Sequence, residues 1–399
     1  MPYNSFVVIG YNEYTGVSPQ KVADAKFTSE EEKGDAAIGV NYTKVRALKN
    51  DVAKAQLLNF GRVVEVARKK IDANSALSAG ATLKLFVGPE FLFKAKTKSK
   101  NGLFAFSHDD RSDMIEALAH MFSGSAYQDW VIAPGTIFWE WKLVTPPTSK
   151  SSVRYTGMNT GILVDGGNNR YVTCTKHYAS DGDNFGMQHY PQNTLCLEEI
   201  EVLYEKPDDL ILNKDNRKMA IEICNDHNIR YMILKRAMLS LGIESIGTST
   251  AKLEKRLDLH LLVAVGKVFT PPSVIAKTGG YAIRCDGIKL DPTTIEVCKV
   301  GEQKYGWHTE FVDKILRKTA ELERYKKLDT GDDKLFTPED KKLLTQITNI
   351  EKYIEEKGEY TTLESGTSMA EDNALPDELG TRKVSKGKPS LIYSELIPF

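Results

Sequence analysis

Short apolar runs, rich in Val, Ile, Leu and Phe, recur along the chain and are separated by polar or glycine- and proline-rich residues. Runs of this kind are typical of strands buried inside an α/β layer. The clearest of them lie at 5–10, 83–88, 218–224, 259–266 and 390–397, and residues 160–175 are predicted to form a hairpin of two such runs. Residues 44–73 instead repeat apolar side chains at helical spacing, so the chain opens as strand, helix, strand.

Three of these runs end in a reactive side chain. LKLFVGPE ends in Glu90, NRYVTCTK ends in Lys176, and KMAIEIC ends in Cys224. If these strand ends converge, a carboxylate, an ammonium and a thiol would supply a base, an oxyanion stabiliser and a nucleophile. A helix is predicted at 229–241, shortly after Cys224, and a helix N-terminus favours a thiolate and offers backbone N–H groups to an oxyanion.

Each of the three residues also has an ordinary structural explanation when it is taken singly. A cysteine at a strand end is often a small buried hydrophobe, as Cys224 would then be. A lysine such as Lys176 commonly lays its aliphatic stem on the protein and keeps its ammonium in water. Glu90, after Gly and Pro, fits the start of a loop. It is the order and the surroundings of the three that favour a shared site.

The composition and the charge of the chain argue against two classes of binding partner, nucleic acids and membranes. The chain has 399 residues, of which 41% are hydrophobic, and 53 basic residues balance 54 acidic ones. A chain of this balance lacks the one-sided basic field of nucleic-acid binders, so we predict no nucleic-acid partner. No run approaches the roughly 18 to 20 apolar residues of a membrane helix, and the first residues do not resemble a signal peptide, so we predict no membrane partner.

The cysteines predict free thiols. Five are present, no CxxC motif occurs, and no cysteine–histidine pairs show ligand spacing: Cys174, Cys196, Cys224, Cys285 and Cys298. Free thiols in a chain of this length favour a reducing compartment, so we predict a cytoplasmic protein without a metal site. Phosphate-binding glycine motifs and HExxH are also missing from the sequence, so no cofactor is predicted.

Taken together, the ordered motifs resemble the nitrilase, or carbon–nitrogen hydrolase, superfamily. The resemblance rests on VGPEF, on the hairpin MNTGILVDGGNNRYVTCTKH and on IEICND, with APGTI and Asn159 as further matches. It covers roughly residues 5–300 and the final strand. The chain departs from the family in that His177 directly follows the lysine and Asn225 stands where an aromatic residue is common. The candidate for the family's second glutamate is Glu140, which TIFWEW does not place cleanly in register.

The resemblance implies an α/β fold, a four-layer α-β-β-α sandwich, here with an inserted C-terminal helical hairpin. The predicted domains are a catalytic domain at 1–304, a helical insertion and mobile loop at 305–389, and a final strand at 390–399 that returns to the catalytic domain. It also implies a homodimer or a higher homo-oligomer formed by packing helices of two subunits.

The chemistry implied by the resemblance is amide hydrolysis through a cysteine thioester. Glu90 would be the general base, Cys224 the nucleophile, and Lys176 with the backbone N–H of Asn225 would hold the oxyanion. The expected substrate is a small amide or nitrile, and we favour an amidase. An acyltransferase or a nitrile hydrolase of the same family, or a non-catalytic interaction protein on this scaffold, is the alternative.

Two further expectations concern the surroundings of the triad. A cysteine–histidine pair is conceivable through His177 or His227, but His227 is expected to point along the helix after the nucleophile and to be a poor partner. The walls of the pocket are expected from the loop after Glu90, from the surroundings of Trp139 and Trp141, and from residues 178–195.

Overall fold

The computed structural model of the chain describes residues 3–15, 26–28, 31, 39–99, 103–143, 154–176, 211–227, 257–269, 271, 274–288, 294–304, 360–365, 367, 369–372, 375 and 389–399. The α-helices in these ranges are α1 (Thr43–Ala47), α2 (Asp51–Asp72) and α3 (His108–Met121). The strands are β1 (Ser5–Asn12), β2 (Thr82–Val87), β3 (Trp130–Ala133), β4 (Thr136–Leu143), β5 (Arg154–Asp165), β6 (Arg170–Thr175), β7 (Leu212–Lys214), β8 (Arg217–Ile223), β9 (Leu257–Ala264), β10 (Ala276–Asp286), β11 (Ile295–Lys304), β12 (Tyr360–Ser365), β13 (Met369–Asp372), β14 (Ser390–Ser394) and β15 (Ile397–Pro398).

These strands form two mixed sheets. The first sheet has the spatial order β13–β14–β1–β2–β3–β5–β4, with β15 paired to β1 and β6 paired to β5. In it β1, β2 and β3 run parallel, whereas β14 and β5 are antiparallel to their neighbours. The second sheet has the order β12–β11–β10–β9–β8–β7, with β8, β9 and β10 parallel.

The three helices cover one face of the first sheet, and α2 and α3 begin at polar caps. Asn50 caps α2 by accepting the backbone N–H groups of Val52 and Ala53. Ser107 and Asp110 cap the start of α3 reciprocally. The sequence predicts one helix over 44–73, but the extended backbone at Leu48 separates α1 from α2. No helix in the part of the chain that the structure describes is long and apolar enough to cross a membrane.

The two sheets pack face to face, which explains why their strands read as continuous apolar runs. Along β5, Ile162 and Val164 face the helices, whereas Leu163 between them faces the second sheet. Opposite Leu163, alternate residues of β8 and β9, such as Ile221 and Leu261, complete the core between the sheets. Both faces of the first sheet are therefore buried, as in other layered α/β folds.

The predicted four-layer α-β-β-α sandwich with a C-terminal helical hairpin is wrong. The described residues contain two mixed sheets and three α-helices, and all of these helices lie within 43–121 and pack on the first sheet alone. Within the predicted mobile loop, 360–365 and 369–372 are instead strands, because β11 and β14 offer them edges to pair with. Such edge pairing depends on residues far away in sequence, which composition does not reveal.

The domain limits at 304 and 389 stay a prediction, since residues 305–359 and 376–388 lie outside the described ranges. The predicted helix at 229–241 lies outside them too. The residues that follow 389 form β14 and β15, and both strands pair antiparallel with β1.

Candidate active site

Glu90 lies in the loop that follows β2 and is completely buried. Its Oε1 atom lies 2.9 Å from the ammonium nitrogen of Lys176 and accepts a second hydrogen bond, also of 2.9 Å, from Nδ2 of Asn159. A buried carboxylate is costly unless it is paired and hydrogen-bonded, and here both conditions are met. The structure therefore brings two of the predicted site residues, Glu90 and Lys176, into direct contact.

The β5–β6 hairpin sets the positions of Asn159 and Lys176. Its ladder pairs Thr160 with Thr175, and one step further the backbone N–H of Lys176 donates to the carbonyl of Asn159 over 2.7 Å. Neighbouring residues across a ladder project from the same face of the sheet. Their side chains therefore both face the second sheet, where they meet Glu90.

The loop that carries Glu90 is held against the break between β3 and β4. Gly135 in this break has a φ of 86°, and a Cβ there would lie 2.0 Å from the carbonyl oxygen of Pro89. A glycine is thus required for the close approach. On the other side of Glu90, Phe91 has a φ of 58°, and its N–H donates to Thr136 Oγ1 over 2.7 Å.

Cys224 follows β8 directly and begins the 3-10 turn Cys224–His227. Its φ of 46° lies in the left-handed region, which costs a residue with a side chain about 1–3 kcal/mol, and the residue is 2% exposed. Of the other non-glycine residues with positive φ in the described ranges, Asp215 and Asn216 make the turn between β7 and β8, and Phe91 adjoins Glu90. Outside that turn, the strained backbone thus lies at one predicted site residue, Cys224, and next to another, Glu90.

The packing of β8 on β5 places Cys224 at the same end of the inter-sheet space as Glu90. Lys214, before β8, bonds Asp165 at the end of β5, so β8 runs antiparallel to β5. Further along, a Cβ on Gly161 would lie 3.3 Å from Cδ1 of Ile223. Cys224 directly follows Ile223 at the end of β8, and Asn159 is the residue of β5 that follows Gly161 on the same face in that direction. Cys224 and Asn159 therefore lie at the same end of the inter-sheet space.

The other predicted site residues are located less completely. The backbone of Asn225 lies in the turn after Cys224, so its oxyanion role stays a prediction. The pairing of Phe138 with Asn159 sets the register of β4 and puts Glu140, two residues further, on the face that carries Asn159. Glu140 accepts a hydrogen bond of 2.8 Å from Ser99 Oγ, and its role as a second glutamate also stays a prediction.

The pocket walls expected around Trp139 stay a prediction, although the Trp139 ring itself faces the helix layer, where its Nε1 donates to Thr160 Oγ1. The expected orientation of His227 is wrong. His227 does not point along a helix away from the strand, because its Nδ1 lies 2.6 Å from Oε2 of Glu222. The side chain of Trp141, the residue His177 and the segment 178–195 lie outside the described part of the chain.

The remaining described cysteines are buried free thiols, as predicted: Cys174, Cys285 and Cys298. Burial raises the pKa of Cys285 well above its ordinary value and raises that of Cys298 to about 12, with nearby carboxylates adding to both. These two thiols are therefore protonated near neutral pH and poorly nucleophilic. Cys196 lies outside the described ranges.

A second buried polar cluster, which the sequence patterns did not predict, consists of Glu222, His227 and His260. The Oε2 atom of Glu222 lies 2.6 Å from His227 Nδ1 and 3.0 Å from His260 Nε2. A signal for it was present, since Glu222 and His260 each interrupt an otherwise apolar run, in KMAIEIC and LDLHLLVAV. A lone charged or polar residue in a buried strand requires a partner.

The chain matches no protein-family model and no curated protein. A buried carboxylate with an ammonium on one oxygen, and a thiol held in a strained turn at the same end of the sheets, can combine proton transfer with nucleophilic attack.

Proposed function

We propose that the protein is a carbon–nitrogen hydrolase that cleaves a small amide through a thioester on Cys224. The observation that carries the proposal is the buried ion pair between Glu90 and Lys176. The ion pair lies at the end of the inter-sheet space at which β8 ends and Cys224 follows. A structural ion pair alone would explain neither the left-handed backbone at Cys224 nor that at Phe91. Strain of this kind is concentrated at functional sites.

The ordered motifs around these residues resemble the nitrilase superfamily, and the proposed steps follow that chemistry. The sulfur of Cys224 attacks the amide carbon while Glu90 accepts the thiol proton. The oxyanion that forms is stabilised by the ammonium of Lys176 and the backbone N–H of Asn225. Glu90 then donates its proton to the leaving nitrogen, the C–N bond breaks, and a thioester remains.

Hydrolysis of the thioester completes the cycle. Glu90 accepts a proton from a water molecule while the oxygen of that water attacks the thioester carbon. The C–S bond then breaks, and Glu90 returns the proton to the sulfur of Cys224. The products are a carboxylic acid and ammonia or an amine, so the cycle needs no cofactor. Free thiols are favoured in a reducing compartment, and we extend the proposal to a cytoplasmic protein that acts as a homodimer or a higher homo-oligomer.

The test is ammonia release from a panel of small primary amides and nitriles. We expect Cys224→Ala, Glu90→Gln and Lys176→Ala each to lower turnover by about a thousandfold or more, because each removes a different part of one covalent step. Combining them should lower turnover little further. The matched control is Cys174→Ala, which removes another buried thiol that faces the same inter-sheet core.

The products separate the proposal from its alternatives. Formation of a new amide when an amine acceptor is supplied would indicate an acyltransferase. Activity that survives in Cys224→Ala and is lost in Cys174→Ala, or activity that a chelator abolishes, would contradict the proposed mechanism. A protein that neither turns over any member of the panel nor forms an acyl adduct would support the non-catalytic alternative.

A further inference from the structure

Glu222, His227 and His260 form a cluster on the face of β8 that points away from the candidate active site. Ile221 and Ile223 face the first sheet, so Glu222 between them projects to the opposite side. His260 reaches it from the adjacent strand β9, in which it pairs with Ala220. All three cluster residues are buried at 2% exposure or less.

Two histidines and a carboxylate are also a ligand set for zinc, and the three candidate ligand atoms lie within 4.8 Å of one another. The surroundings of His260 argue against a metal. The backbone N–H of Ile275 donates to its Nδ1 over 3.3 Å, so the neutral ring carries its proton on Nε2. That nitrogen then donates to Glu222 and has no lone pair for an ion.

The hydrogen bonds instead enclose Cys224. Glu222 lies two residues before Cys224, and His227 lies three residues after it, so the 2.6 Å contact between them closes a short loop around the cysteine. The left-handed backbone of Cys224 lies within this loop. A non-glycine residue keeps such a conformation only where its surroundings overdetermine it, and this loop is a direct restraint.

We infer that Glu222, His227 and His260 are positioning residues, which hold Cys224 in its left-handed turn. Glu222 fixes the turn through His227, and His260 fixes the carboxylate of Glu222. The turn in this form aims the thiol and the following backbone N–H toward the reacting carbonyl. The inference rests on the proposed function for its purpose, whereas the restraint itself is a property of the fold.

The test measures how fast iodoacetamide alkylates Cys224, read by peptide mass spectrometry, because this needs no turnover. We expect Glu222→Gln and His227→Ala to slow alkylation of Cys224 at least tenfold. His227→Asn should restore most of the rate, because its amide N–H can replace the ring Nδ1–H. Wild-type Cys174 and Cys285, buried on the same sheets, serve as internal references.

The matched control is Asp258→Asn. Asp258 is another buried carboxylate on the outward face of β9, and it accepts hydrogen bonds from Arg217 and Lys218 rather than from the cluster. Urea unfolding of each variant gives its stability. We expect Asp258→Asn to lose stability and to keep the alkylation rate of Cys224. If Glu222→Gln is unfolded under the assay conditions, the comparison of His227→Ala with His227→Asn decides.

The outcomes separate this inference from the proposed function. Ammonia release by the wild type, with alkylation rates in the cluster variants that match the control, would overturn the positioning role alone. Slower alkylation in those variants of a protein that hydrolyses no amide would support the positioning role and contradict the proposed function. One equivalent of zinc in the purified protein, lost in His260→Gln, would overturn the hydrogen-bonded cluster in favour of a metal site.

Discussion

At the scale of single residues, the Oε1 atom of Glu90 is the centre of the candidate site, because Lys176 and Asn159 both donate to it. We expect Asn159→Ala to lower ammonia release about 10-fold to 100-fold, since a hydrogen bond to a charged group is worth about 1.5–3 kcal/mol. Asn159→Asp should lower it more, because a second carboxylate would compete for Lys176 and repel Glu90. Steady-state kinetics on the best amide of the panel measures both.

The control for this prediction lies on the same strand. Thr160 neighbours Asn159 but faces the helices, where its hydroxyl contacts Thr175 and accepts from Trp139. Thr160→Val should lower the thermal midpoint without lowering ammonia release. Equal kinetic losses in the Asn159 and Thr160 variants would mean that Asn159 acts only through the stability of the hairpin.

Sequence patterns predicted the contact between Glu90 and Lys176 better than they predicted its surroundings. Glu90, Lys176 and Cys224 could be picked out because each ends an apolar run, and strand ends are where a layered fold exposes side chains. The left-handed backbone at Phe91 left no local signal, and the partner of its N–H, Thr136 Oγ1, lies 45 residues away in sequence. His227 was misjudged because its partner depends on how the chain turns after Cys224, not on helical periodicity.

At the scale of elements, the break between β3 and β4 allows the loop with Glu90 to lie close to the sheet. We expect Gly135→Ala to destabilise the fold by more than about 1–3 kcal/mol and to lower ammonia release strongly. The new Cβ would meet the Pro89 carbonyl oxygen at 2.0 Å and displace Glu90. Urea unfolding and the amide assay measure the two effects.

Gly279 provides a control that separates the clash from the backbone strain. Its φ is 79°, close to the 86° of Gly135, but a Cβ there would meet no atom within 4 Å. Gly279→Ala should cost only the strain of a left-handed alanine, about 1 kcal/mol, and should leave ammonia release unchanged. Similar effects of the two variants would show that the Pro89 contact is unimportant.

The elements that the sequence predicted well are those defined by their own residues. The runs at 5–10 and 83–88 correspond to β1 and β2, and the hairpin at 160–175 corresponds to parts of β5 and to β6. In contrast, β12 and β13 carry Thr, Ser, Glu and Asp and resemble a loop. They are strands because β11 and β14 each present an edge, and such an edge is a property of the assembled sheet.

At the scale of the whole molecule, the Glu222 cluster makes folding stability depend on pH. Burial lowers the pKa of His260 below 6.5, more than its bond to Glu222 raises it. Burial alone would raise the pKa of Glu222. The contacts with His227 and His260 lower this pKa by more than burial raises it, so it falls from 4.5 to about 2. The unfolded chain therefore binds protons more readily than the folded one at both sites.

Acidification is therefore expected to destabilise the fold. The contribution of His260 is complete above about pH 6.5 and is lost as the pH falls below that value, and the contribution of Glu222 is lost below about pH 4.5. We expect the urea midpoint to fall between pH 7 and pH 5.5 and to fall further at pH 4. His260→Gln should flatten the first interval. A wild-type midpoint that rises on acidification would contradict this assignment.

The pairing of β1 with the last strands has a consequence for synthesis of the chain. β1 is made before the other described strands, yet Ser390, which accepts a hydrogen bond from Asn12 at its end, follows 378 residues later. At about 5–20 residues per second the ribosome needs about 20 to 75 s to deliver that partner. Among the described strands, β2 is the one that pairs with β1 and is made before then, so the edge of SFVVIGYN that later receives β14 and β15 is open to foreign strands. The nascent chain therefore needs protection, at the unpaired edge of β1, against pairing with strands of other proteins.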